Sequence, residues 1–107
     1  MIKPDYGLSE RTLTTLNNIF KKYSGLEKVI LYGSRAKGDY KSGSDIDITL
    51  ETDTTFTYQD LTRIYGDFDN SDIPYSVDVS LYKNLDSQAL KEHIKRVGKA
   101  IYKKDNK

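Results

Sequence analysis

Asp47 stands between Ile46 and Ile48, and Asp78 between Val77 and Val79, each inside a short run of β-forming residues. In a strand, residues i and i+2 point to the same side. Asp45 and Asp47 therefore project together, with Ile46 and Ile48 facing the opposite way. A buried acid without a partner is costly, and two acids that close repel unless a cation sits between them. Hard oxygen ligands at this spacing suit Mg²⁺, which is usually held by one or two carboxylates together with substrate phosphates. If the segment Tyr75–Leu81 pairs beside the Asp45 strand, three acids converge on one patch. Such a patch can hold two metals and support phosphoryl transfer. Spacing alone leaves that pairing open.

The rest of the chain reads as short helices and strands in alternation. Ser9 to Tyr23 predicts a helix, with Ser9 as N-cap and Leu13, Leu16, Ile19, Phe20 and Tyr23 recurring at three- and four-residue steps. Ser24-Gly25 ends it. Val29–Tyr32 reads as a buried strand, Arg35 to Gly38 as a short helical segment and Asp39 to Gly43 as a polar loop. Asp45 to Leu50 is the second strand. Thr57 to Phe68 is a helix with Leu61, Ile64, Tyr65 and Phe68 on one face. Asn70 to Pro74 is a turn, and Tyr75 to Leu81 the third strand. Asp86 would cap a last helix with Leu90, Ile94 and Val97 inward. Gly98 stops it, and Ala100-Ile101-Tyr102 gives a short fourth strand. This order predicts a small α/β sheet protein, one domain over residues 1–107.

Just before the acid pair lies Gly33-Ser34-Arg35-Ala36-Lys37-Gly38, then Ser42-Gly43-Ser44-Asp45-Ile46-Asp47. Gly-Ser alone is an ordinary strand-to-helix turn, and Asp-x-Asp alone is weak. Together, at this gap, they resemble the signature of the polymerase-β nucleotidyltransferase superfamily. More narrowly, the chain resembles the minimal nucleotidyltransferases (MNT) that pair with HEPN proteins in prokaryotic toxin–antitoxin systems. The resemblance runs from about Leu13 to Tyr102. It implies a mixed sheet with helices mainly on one face. It also implies that Asp45 and Asp47 ligate two Mg²⁺ ions and that Asp78 completes the site of the ion activating the incoming hydroxyl. ATP would be the co-substrate. Gly33, lacking Cβ, would let the backbone approach the triphosphate. Ser34 offers a hydroxyl and an N–H, Arg35 and Lys37 would bind the β- and γ-phosphates, and Ser44 is a further phosphate or supporting contact. His93 reads as a surface or half-buried residue rather than a catalyst, and Tyr32 as packing.

By the same resemblance, the partner is an all-helical HEPN toxin, and the reaction moves AMP onto a tyrosine near its active site. Two other readings stay open: an antibiotic-type enzyme acting on a small molecule, and an inactive module that neutralises a partner by contact. The intact Gly-Ser, Asp-x-Asp and Asp78 argue against the inactive module, and the short length against the small-molecule enzyme. A lone catalytic half-cleft needs its missing wall from elsewhere. Net charge is +1, but six acids face Arg63 alone between Glu51 and Asp72, and eight bases face three acids from Lys83 to Lys107. That asymmetry suggests polar recognition surfaces or solvated faces; direct nucleic-acid binding is not expected. With no Cys there are no disulfides or thiolate metal sites. No long apolar run or signal-peptide core is present, so no membrane association is expected and the cytoplasm is the expected compartment.

Overall fold

The computed structural model describes residues 6–104. Its elements run α1 (Glu10–Phe20), β1 (Leu26–Tyr32), α2 (Gly33–Lys37), β2 (Ile46–Thr52), α3 (Tyr58–Asp69) and β3 (Val77–Leu81). A 3₁₀ turn at Tyr82–Asn84, α4 (Gln88–Val97) and β4 (Lys99–Lys103) complete the chain. The four strands form one sheet in the order β3-β2-β1-β4. β1 is antiparallel to both β2 and β4, while β2 and β3 are parallel. The sheet is therefore mixed, as expected, and α3 is the crossover between its two parallel strands.

Period-two alternation decides what each face does. Val29 and Leu31 of β1 and Ile46, Ile48 and Leu50 of β2 are fully buried, on one side of the sheet. α1 and α3 close that side with Leu16, Ile19, Phe20, Ile64 and Phe68. Phe20 binds the layers together, its ring meeting Phe68 edge-on at 6.2 Å and Tyr102 of β4 at 5.5 Å between centroids. The alternate residues, Ile30 and Tyr32 on β1, Asp47 on β2 and Asp78 on β3, occupy the other face. Among the described helices, α4 lies against that face, next to β1. A Cβ on Gly98 would strike both the Ile94 carbonyl and Ile30.

Helix ends follow their caps. Ser9 caps α1 by accepting from the Thr12 N–H at 3.1 Å. Thr57 and Asp60 form a reciprocal capping box at the start of α3. Several boundaries differ from the sequence reading. α1 ends at Phe20 because the chain tightens there, with Lys22 and Tyr23 N–H donating three residues back. Tyr23 is still buried, so the apolar period outlasts the helix. α2 begins at Gly33, two residues early, and stops at Gly38, whose φ of 94° is left-handed. Asp45 lies just ahead of β2, and β3 starts at Val77 rather than Tyr75. Pro74 has no N–H to give a ladder. Ser87, not Asp86, caps α4, accepting from Leu90 N–H at 3.1 Å. Along α4 only Ile94 is buried. Tyr65 is exposed rather than core, with its hydroxyl donating to the Val79 carbonyl at 2.8 Å.

Candidate active site

Three adjacent strands bring Tyr32, Asp47 and Asp78 into one row. Tyr32 pairs with Asp47 across β1 and β2, and Asp47 pairs with Asp78 across β2 and β3. Side chains at paired positions share a face, ~5 Å apart at Cβ. The pairing that spacing left open is thus made. Asp78 and Asp45 are exposed, and Asp47 is half-buried between them. Burial is the first cause pushing the Asp47 carboxyl above its ordinary value; the charges of Asp78 and then Asp45 push the same way, and His93 offsets part of the rise. Burial first, and then Asp47 and Asp78, also push the Tyr32 phenol up.

Gly33 adjoins this row. Its φ is +75°, where L side chains are strained, and a Cβ there would run into the Asp47 carboxylate. Only glycine lets backbone and carboxylate lie this close. The Gly33 N–H donates to Nε2 of His93 at 3.3 Å, and the His93 ring meets Tyr32 edge-on at 6.2 Å. His93 thus belongs to the site, which the sequence reading missed. No local spacing signals it, because its partners lie about 60 residues away in the chain.

The remaining candidates divide. Ser34 follows Gly33 and is partly exposed. Lys37 is exposed and paired with Asp39 at 3.5 Å. Surface pairs of this kind are weak, so its ammonium stays free to exchange partners. The Ser44 hydroxyl accepts from Lys41 N–H at 2.9 Å and shapes the 41–44 turn. Arg35, expected at the phosphates, is instead only 2% exposed and turned inward. Its Nε and Nη2 donate to the Ser44 carbonyl at 3.0 and 2.8 Å, and Nη1 to the Tyr6 carbonyl at 2.9 Å. A guanidinium so placed cannot reach a solvent-borne triphosphate without leaving those partners.

The acids fit a hard divalent cation: oxygen donors only, mutually repelling, one of them half-buried. Among the described residues, no three acidic or imidazole groups are gathered tightly enough to enclose an ion by themselves. A cation held there would need further oxygen ligands, as Mg²⁺ commonly takes from substrate phosphates.

Residues 14–107 match the family described as Polymerase beta, Nucleotidyltransferase. Over 44 residues, 40% of this chain, it is 48% identical to a Methanocaldococcus jannaschii protein provisionally named a protein adenylyltransferase. That stretch spans 44% of the relative's length. The fold superposes on a chain of a toxin–antitoxin crystal structure with AMP-PNP at a TM-score of 0.60 and 18% identity, covering 86% of this chain and 73% of that one. It superposes at 0.57 and 16% identity on a chain of a complex between a tri-AMPylated Shewanella oneidensis HEPN toxin and an MNT antitoxin, covering 91% and 74%. A Sulfolobus solfataricus protein provisionally described as a nucleotidyltransferase gives 0.54 at 23% identity, covering 96% and 92%. Among the described residues, no helix is long and apolar enough to cross a membrane. With the family match spanning all but the first residues, and the acid row set against the Gly33-Ser34 turn, the chain belongs to the polymerase-β nucleotidyltransferase family.

Proposed function

We propose that this enzyme transfers AMP from ATP to a tyrosine hydroxyl of a HEPN toxin and so acts as its antitoxin, as a single catalytic domain. The observation that carries the reading is the in-register pairing of Asp47 with Asp78 beside the Gly33 turn. The M. jannaschii relative's name and the toxin–antitoxin neighbours support the choice of reaction and partner.

In this reading, Gly33 admits the triphosphate close to the backbone and the Ser34 hydroxyl donates to it. Lys37 exchanges Asp39 for a terminal phosphate. Asp45, Asp47 and Asp78 would hold two Mg²⁺ ions, which when bound neutralise phosphate charge and lower the pKa of the attacking hydroxyl. The tyrosine oxygen attacks the α-phosphorus, the bond to the β-phosphate oxygen breaks, and pyrophosphate leaves. Asp78, the most exposed acid of the paired row, takes the hydroxyl proton and passes it to water. Docking of the partner supplies the alignment, which can contribute roughly 7–11 kcal/mol.

The test incubates the chain with α-labelled ATP, Mg²⁺ and a HEPN protein, beside free tyrosine and aminoglycosides. Label should enter the HEPN protein alone, and Asp47→Asn should abolish both labelling and neutralisation. Efficient labelling of an aminoglycoside without any partner would overturn the antitoxin reading. Full neutralisation by Asp47→Asn would replace catalysis with contact.

A further inference from the structure

Among the described residues, Arg35 is the largest fully buried side chain. Buried charge is expensive unless its donors are met. Here they are met by backbone carbonyls and aromatic faces. Two donors converge on the Ser44 carbonyl and a third reaches the Tyr6 carbonyl. The guanidinium carbon lies 4.4 Å from the Tyr75 ring centroid and 5.3 Å from that of Tyr40. A Cβ on Gly7 would meet the Tyr40 ring and, at 2.9 Å, Arg35 Nη1, so the enclosure is tight.

The positions of these partners in the chain matter more than their number. Arg35 itself sits two residues after Gly33. Ser44 immediately precedes Asp45. Tyr75 lies three residues before Asp78. The Ile46 N–H also donates to the Ser76 carbonyl at 2.9 Å, closing the same junction from the strand side. One guanidinium therefore touches the three segments that deliver Gly33, the Asp45–Asp47 pair and Asp78.

We propose that Arg35 is a positioning residue that fixes these three segments relative to one another, and so sets the separation of the carboxylates, rather than a phosphate ligand. The forked donor set is what the role requires. Arg can give two N–H groups to one carbonyl and a third to another while stacking on a ring, whereas Lys offers a single point charge. The functional part of this inference rests on the carboxylates being the metal and nucleotide site; the placement of the segments does not.

Arg35→Lys and Tyr75→Leu test it, the latter keeping the guanidinium but removing its closest ring. The control is Ile64→Ala, a fully buried core position on α3, compared at temperatures equally far below each melting point. Amide hydrogen exchange is read by segment, and Mn²⁺ binding by electron paramagnetic resonance. In both test variants, exchange over residues 43–47 and 76–79 should rise about tenfold beyond the control. Their Mn²⁺ midpoint should rise roughly fivefold or more, while Ile64→Ala binds Mn²⁺ like the parent. Exchange in those segments no faster than in the control overturns the proposal, as does an unchanged Mn²⁺ midpoint. If Arg35→Lys does not fold, Tyr75→Leu decides. If the parent protein itself binds no Mn²⁺, the proposed metal site fails, and exchange alone decides the role of Arg35.

Discussion

Asp47→Asn should make the metal-free protein more stable at neutral pH, while removing activity. The side chain is half-buried, and its carboxyl is pushed up first by burial and then by Asp78 and Asp45. A unit charge ~5 Å from another costs about 0.8 kcal/mol at the dielectric of water and about 3 kcal/mol at an effective value near 20. Asp78 and Asp45 are exposed, so screening favours the lower end, and the repulsion relieved is on the order of 1 kcal/mol. For a domain of this size that is roughly 4–8 °C in Tm. The sign follows from linkage. A carboxyl whose folded pKa is raised favours folding while protonated; that contribution is present below its unfolded pKa, 3.8, and is lost as pH rises through the raised folded value. The advantage of Asn should therefore be full near pH 7, shrink on acidification and vanish near pH 3. Thermal melts of both proteins in EDTA at low salt, from pH 3 to pH 8, measure it. An Asn variant that is folded but no more stable at pH 7, or equally advantaged at pH 3, would refute the argument that the three acids repel.

Gly33→Ala should cost about 1–2 kcal/mol for the left-handed backbone alone, and more in activity, because the added methyl displaces the Asp47 carboxylate; melting and label transfer measured together separate the two losses. Mg²⁺ with a non-hydrolysable ATP analogue at 100 times its Kd should stabilise the fold by about 2.7 kcal/mol, and the analogue in EDTA by far less. Equal stabilisation with and without metal would place the nucleotide elsewhere. Tyr23→Phe should destabilise by roughly 1.5–3 kcal/mol, since the buried Tyr23 hydroxyl donates to Asp67, itself paired with Lys22 at 2.9 Å. Burial raises the Asp67 carboxyl, but the Tyr23 and Lys22 partners outweigh it and hold it low, so this contribution should fade as pH falls through the depressed value.

The alternation around Asp47 and Asp78 was legible because a strand's period of two converts sequence directly into faces. The helix at 57–68 was legible for a similar reason, since Leu61, Ile64, Tyr65 and Phe68 recur at the local helical period. What the sequence withheld was long-range. His93 reaches Gly33 only because α4 returns across β1, and nothing around residue 93 announces that return. Arg35 was misplaced because a basic residue beside a Gly-Ser turn suggests phosphate binding. Its actual destination depends on carbonyls at 6 and 44 being presented to it. The early end of α1 was hidden by Tyr23, which packs inward from a turn as well as it would from a helix.

The parallel register of β2 and β3 carries a consequence for quality control in folding. Asp78 and Val79 are neighbours on opposite faces, so slipping β3 by one residue would drive the acid into the core and expose the valine. Burial of Val79 and presentation of Asp78 are thus a single event. A chain cannot acquire a well-packed β3 while leaving its acid misaligned by one position, so one-residue slips are selected against by the hydrophobic core itself. That selection against a one-residue slip is built into the burial of Val79. It is exercised each time the edge strand docks.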